Sequence, residues 1–559
     1  MTLEDFVAAE VIDTADCRVS RRLCELGGES DTRVQLAVAL LVAALRTGSV
    51  CVDLSLARHR HPPDAGDLPW PEPGQWLAAV RASPLAGAPP VLRFVDDLVY
   101  LDRYWLEEQQ VCGDVSARLG PVGTTAPVPD LGRLFPDGYS EQRAAAQTAV
   151  AQRLTVLTGG PGTGKTTTVA RLLAAIAEQA ELAGGAPPRM ALSAPTGKAA
   201  ARLQEAVELE ITQLDRVDQD RLAGLRSTTL HRLLGARPDT SSRFRHHRGN
   251  RLPHDVVVVD ETSMVSLTMM ARLLEAVRPE ARLLLVGDPD QLASVDAGAV
   301  LADLVDGLGD TGVVQLQTPH RFGRSIGALA QAVRCGDEDM VIESLRAGGE
   351  AIEWIDTEDP GDALRPLLVE RAARLRQAAV LGDAVAALTV LDEHRLLCAH
   401  RRGPFGVAVW NRRVEGWLAD ATGQPLWAPW YAGRPVLVTA NDYGLGVYNG
   451  DAGVVVASPH GLRAHIGSAD FATSRLGQVE TMFAMTIHKS QGSQADEVTV
   501  LLPPPESRLL TRELFYTALT RARKRVRVIG PESSVRAAVG RRAARASGLA
   551  RRLRAAEEH

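Results

Sequence analysis

Residues 154–167 read Leu-Thr-Val-Leu-Thr-Gly-Gly-Pro-Gly-Thr-Gly-Lys-Thr-Thr. The apolar start predicts a buried strand, the glycine run a tight loop, and the stretch after it a helix. Gly159, Gly164, Lys165 and Thr166 have the spacing of a phosphate-binding loop. Gly159, Gly160, Pro161, Gly162, Thr163 and Gly164 would turn backbone N–H groups toward a phosphate chain, with Lys165, Thr166 and Thr167 opening the helix. Lys165 would reach the β- and γ-phosphates, and Thr166 would offer its hydroxyl to Mg²⁺. ATP and Mg²⁺ are the cofactors this stretch implies.

The pattern around the loop is β-α-β-α. Leu154–Leu157, Met190–Ser193, Val256–Val259 and Leu283–Val286 are unbroken apolar runs, as strands need to be when helices cover both faces of a parallel sheet. This block spans 139–335. A second α/β block spans 336–559, with strands near 395–399, 498–502 and 526–529. Inside it, Val436-Leu-Val-Thr, Gly453-Val-Val-Val-Ala and Glu480-Thr-Met-Phe-Ala alternate with Gly- and Asn-rich turns. They predict a small β-barrel insertion over about 432–483. Residues 1–115 carry helical periodicity, as in Val34–Leu45, and read as a helical docking or packing domain. Residues 116–138 read as a linker rich in Gly, Pro and Thr. The tail from Val535 alternates Arg and Ala and predicts a basic amphipathic helix from Arg541 to Arg554.

Val256–Val259 runs into Asp260 and Glu261. Strand ends of a parallel sheet gather at the ligand crevice. Asp260 is therefore placed to hold Mg²⁺ and Glu261 to orient or deprotonate a water; the bland reading is that both acids cap the next helix. Leu283–Val286 leads into Asp288-Pro-Asp-Gln291. Gln291 is a candidate sensor of the γ-phosphate, or part of a simple turn. Arg321, in His320-Arg-Phe322, and Arg521, in Leu514-Phe-Tyr-Thr-Ala-Leu-Thr-Arg521, are candidates to neutralise charge on a transferring phosphoryl group. Taken singly, either could be a surface residue.

In this order the motifs resemble the first helicase superfamily. Gln142 resembles its adenine-reading glutamine. Ala191-Leu-Ser-Ala-Pro-Thr196-Gly-Lys198 and Thr229-Leu-His231 resemble its first strand-contacting motifs. Met485-Thr-Ile-His488-Lys-Ser-Gln-Gly-Ser493 resembles its fifth motif and 514–525 its sixth. Arg245-His-His-Arg-Gly-Asn250, Gln291–Val300 and Asn449-Gly-Asp-Ala-Gly453 narrow the likeness to the RecD family, the α subunits of exodeoxyribonuclease V. The resemblance implies two RecA-like motor domains, an SH3-like barrel at 432–483 and a pin insertion at about 236–254. It implies DNA contacts from Thr196, His231, Thr486 and His488, 5′→3′ movement on single-stranded DNA, and RecB-like and RecC-like partners. The short N-terminal part is expected to dock on such a partner. Ser493-Gln494 stands where many relatives carry Ser-Glu. Two readings stay open beside this one: a stand-alone DNA repair helicase and a subunit that binds ATP without turnover.

Composition fits a globular, non-membrane chain. Over 559 residues the formal charge is −6, with 45% hydrophobic and 23% charged residues, which excludes a globally basic nucleic-acid coat but not a local basic channel. Six cysteines lie scattered without a C-x-x-C, as expected of reduced thiols in the cytoplasm. No apolar run is long enough to span a membrane. No nuclease constellation stands outside the motor motifs, so DNA cleavage is expected from a partner.

Overall fold

The computed structural model describes residues 2–60, 68–120, 129–237, 240–294, 296–318, 324–426, 428–442, 444–543 and 545–557. Its architecture is α/β, built on two parallel sheets. The first has the order Val313–Leu316, Leu154–Gly159, Arg282–Gly287, Val256–Val259, Met190–Ala194, Ser227–Thr229. Every ladder in it is parallel, with Leu284 opposite Thr155 and Val258, and Leu192 opposite Val258. All four valines of Val256–Val259 are buried, as a strand covered on both faces requires. The second sheet has the order Ile352–Ile355, Ala522–Ile529, Ala495–Leu501, His394–Cys398, Ala484–Thr486, again parallel. In both sheets the loops after the strands carry the predicted functional residues.

Between the last helix-and-strand pairs of the second sheet lies a five-stranded antiparallel sheet, ordered Ala469–Ala472, Gly461–Ile466, Ala452–Ser458, Pro435–Val438, Val479–Thr481. The β-character expected for 432–483 is there. Closure into a barrel is not: among the described residues the two end strands share no ladder. A hairpin, Ala236–Arg237 with Thr240–Phe244, precedes the Asp-Glu strand, and His247 bridges to Asn250 beyond it.

The N-terminal part is mostly helical, with Thr14–Gly27, Thr32–Arg46, Pro73–Ala82 and Asp102–Ser116 as its longer helices. It also holds a small antiparallel sheet, Cys51–Asp53, Leu98–Leu101 and Leu92–Val95, whose strands are too short for periodicity to reveal. The six cysteines are all unpaired.

The tail departs from the expected single helix. Residues 541–543 and 545–548 run without helix, and the last helix covers Leu549–Glu557. The reason is packing: Ala546, Ser547 and Gly548 are hydrogen-bonded to other parts of the chain. Val50 N donates to Ala546 O at 2.9 Å. Ser547 Oγ and Gly548 N donate to Glu108 Oε1 at 2.8 and 3.0 Å. The final helix then buries Leu549 and Leu553 on the helix Val300–Leu308 of the first sheet's block and on Asp102–Ser116. The tail thus ties the second half back to the first and to the N-terminal part. Leu553→Ala is expected to lower stability by about 2–5 kcal/mol, read as a lower thermal midpoint; an unchanged midpoint would mean the tail is not fastened there.

Candidate nucleotide site and nucleic-acid interface

The strand Leu154–Gly159 is wholly buried and delivers the glycine loop at its C-terminal end. Gly162 and Gly164 adopt φ of +81° and +85°, a region open to glycine at no steric cost. A Cβ on Gly159 would lie 2.7 Å from both Leu316 O and Thr163 Oγ1. The loop curls over Lys165, whose Nζ donates to Gly159 O at 2.6 Å and Gly160 O at 2.9 Å. Thr163 Oγ1 donates to Gly160 O at 2.9 Å. The helix Lys165–Leu182 then starts with Thr166 and Thr167 beside the loop. Buried Gln142 lies alongside, its amide donating to Thr163 O at 3.3 Å.

Asp260 and Glu261 follow the next strand but one in the same sheet. Glu261 has φ of +51°, a conformation that costs a non-glycine residue of order 1–3 kcal/mol and collects at functional sites. Its N–H donates to Asp260 Oδ1 at 2.8 Å. Burial, and then the neighbouring Glu261 charge, raise the Asp260 carboxyl, while Lys165 and Arg202 pull it down. A carboxylate in that setting gains from a cation at its open side. Among the described residues no cluster of three or more His, Cys, Asp or Glu could hold a metal alone. That donor set suits Mg²⁺, which binds through one or two carboxylates plus substrate phosphates.

Asp288 is buried after the strand Arg282–Gly287. It accepts from Gln291 Nε2 at 3.1 Å and from Tyr516 Oη at 3.0 Å. Gln291 Oε1 is buried with no hydrogen-bond partner among the described residues, an acceptor left for a water or ligand. Tyr516 belongs to the helix Arg512–Leu519 of the second block, and a Cβ on Gly160 would come within 3.2 Å of its hydroxyl. Leu292 N donates to Thr517 Oγ1 of the same helix at 2.8 Å. One helix of the second half therefore reaches the phosphate loop of the first.

Arg521 follows that helix and is buried. Among the described residues its guanidinium donates only to neutral acceptors: Thr517 O at 3.1 Å, Thr520 Oγ1 at 3.3 Å and Ser493 O at 3.5 Å. Burial lowers its pKa, and the charges of Glu261 and Asp288 oppose that. Arg521 is thus a buried cation that feels the Glu261 and Asp288 carboxylates. Arg321 lies outside the described residues. Tyr516 is a residue of this candidate site that the sequence reading left unassigned, although it stands in the same motif.

The residues expected to contact a DNA strand share one local design. Thr196, Thr229 and Thr486 are each an N-cap, accepting from Ala199, Arg232 and Lys489 N respectively, each at 3.2 Å. The second helical residue after each cap is Lys198, His231 or His488. Thr196 and His231 lie in the first half and Thr486 and His488 in the second, each at or just past the C-terminal end of a parallel strand. Burial first, then Arg545, push His488 down to about 4, so it is neutral at pH 7 and would meet a strand by hydrogen bonding. Lys198, which the sequence reading left unassigned, is pushed down to about 8 by burial, with Arg395 adding and Asp392 and Asp451 opposing. Gly197, between Thr196 and Lys198, lies against Tyr448 of the antiparallel insertion; a Cβ would sit 2.8 Å from Tyr448 Cγ. Gly197→Ala is therefore expected to destabilise by about 1–3 kcal/mol through overpacking, despite the better helix former. A raised thermal midpoint would contradict that contact.

Three family models match the chain: an AAA domain over residues 142–297, a UvrD-like helicase C-terminal domain over 481–529, and the N-terminal domain of the RecBCD enzyme subunit RecD over 8–93. The RecBCD enzyme subunit RecD of Mycolicibacterium smegmatis is 69% identical over 552 residues, covering 98% of both chains. This chain belongs to the RecD family. The RecD subunit of Mycobacterium tuberculosis is 66% identical, over 98% of this chain and 96% of that one. The ATP-dependent RecD2 DNA helicase of Deinococcus radiodurans is 34% identical over 75% of this chain but only 53% of its own length. As a RecD-family helicase, the chain has its AAA-domain match starting at Gln142, and its C-terminal match spans the Thr486–His488 and Arg521 motifs.

Proposed function

We propose that the chain is the 5′→3′ DNA motor of a RecBCD-type helicase–nuclease. It works in the cytoplasm, beside RecB-like and RecC-like subunits, on single-stranded DNA at duplex ends, in double-strand break repair by recombination and in DNA end degradation. The observation that carries this reading is buried Arg521, which among the described residues donates only to neutral acceptors and comes from the half opposite the phosphate loop. A nucleotide held by Gly159–Thr167, with Gln142 beside its base, would give Arg521 a charged partner and draw the halves together. Thr166 and Asp260 would hold Mg²⁺, which supplies positive charge between the β- and γ-phosphates. Glu261 and Gln291 would orient the attacking water.

Thr196 and His231 grip the strand from one half, Thr486 and His488 from the other. Alternate gripping, as the halves close and reopen, advances the motor. Contacts to phosphate and sugar leave base identity unread. Residues 1–115 serve as the partner-docking domain, 116–138 as linker, and 139–335 and 336–559 as the two motor domains. The segment 236–254 is the pin and 432–483 the insertion. The 69% identity to a RecD subunit, against 34% to RecD2, favours the subunit over the stand-alone helicase. Among the described residues no helix is long and apolar enough to cross a membrane.

The test is unwinding of duplexes with a 5′ or a 3′ single-stranded tail, by the chain alone and with its partners. The reading expects unwinding from the 5′ tail. Unwinding only from the 3′ tail would overturn the polarity.

A further inference from the structure

Gln494 stands directly after the fifth motif, and the functional account above gives it no task. Its side chain crosses to the other half of the molecule. Arg202, in the second turn of the helix Gly197–Ile211, donates from Nη2 to Gln494 Oε1 at 2.7 Å. The two residues are 292 positions apart, and the bond joins the first block directly to the second. The turn before it lies on the same helix: at Gly492, with φ of +70°, a Cβ would meet Ala199 Cβ at 3.3 Å.

Both neighbours of Gln494 are fastened to Arg521. Ser493 O accepts from Arg521 Nη1 at 3.5 Å, and Ala495 N donates to Arg521 O at 3.1 Å. On the other side, the charge of Arg202 acts on Asp260. Arg202, Gln494 and Arg521 therefore form a series of hydrogen-bonded neighbours that runs from the helix Gly197–Ile211 of one half to the buried arginine of the other.

We propose that Arg202 and Gln494 form a positioning link that sets where Arg521 stands when the two halves close on nucleotide and DNA. The link is a bond from a cation to a neutral amide. It is weaker than an arginine–carboxylate pair, so it can break and re-form in each cycle. Two elements that must move together in this way share one coupling energy, and removing either partner removes all of it. This proposal rests on the motor reading.

The experiment measures ATP turnover of the full chain with saturating single-stranded DNA for the parent, Arg202→Ala, Gln494→Ala and the double variant. Each single variant is expected to lose about tenfold in DNA-stimulated kcat, with KM for DNA unchanged. Gln494→Ala keeps its DNA-free turnover within about twofold of the parent. The double variant is expected to lose no more than the worse single one, and Arg202→Lys, which keeps a donor, to recover part of the loss. Unchanged kcat in the single variants would overturn the link, as would losses that multiply in the double variant. Thermal midpoints equal to the parent's separate the effect from misfolding. A parent chain without any DNA stimulation would overturn the motor reading and the link with it; a stimulated parent with unaffected variants would overturn the link alone.

Discussion

ATP turnover by an Arg521→Ala chain is expected to fall about 10³–10⁵-fold, the range for removing an arginine that neutralises charge on a transferring phosphoryl group. The guanidinium is buried and has no carboxylate partner among the described residues. A buried cation held only by carbonyl and hydroxyl oxygens keeps its charge at considerable desolvation cost. Arg527, by contrast, pairs with the Glu353 carboxylate at 2.7 Å. Nucleotide affinity should change far less than turnover, because the interaction strengthens as charge develops. Binding of a fluorescent ATP analogue, measured beside kcat, checks this. A loss under tenfold would remove Arg521 from the catalytic machinery.

Lys165→Ala is expected to reduce turnover by about 10²–10³-fold or more, and to weaken nucleotide binding as well. Its Nζ is anchored by two carbonyls of the phosphate loop, so the ammonium is already where the phosphates would lie. Substitution removes the charge and leaves those carbonyls to water, which exposes no buried polar atom to strain. The variant should fold and should still bind single-stranded DNA through the second half. DNA-stimulated turnover above a tenth of the parent's would contradict this role.

Much of this was legible in the chain itself. The parallel strands are short apolar runs bounded by polar loops, and the glycines of 159–164 announce a phosphate loop without any tertiary information. Asp260, Glu261 and Gln291 follow strands of the first parallel sheet, whereas Gln142 lies in the first turn of the helix Ser140–Ala151 and Arg521 just after the helix Arg512–Leu519. Legibility stopped where contacts are long-range. Nothing local in Tyr516 shows that its hydroxyl reaches Asp288, or in Arg202 that it reaches Gln494. The tail misled because its arginines dominate the pattern, whereas Leu549 and Leu553 decide where it lies. The insertion was read as a small β-barrel; its strands are present, but closure depends on pairing between its end strands, which alternation of side chains does not encode. Glu261 carries its left-handed backbone without any sequence sign.

The central claim, that ATP hydrolysis here is driven by contact with a DNA strand, is tested most directly by ATP turnover of the purified chain with and without single-stranded DNA across a salt series. The account predicts strong stimulation that declines as salt rises, because phosphate contacts release counterions. A folded chain whose turnover ignores DNA at every salt concentration, alone and with its partners, would contradict it.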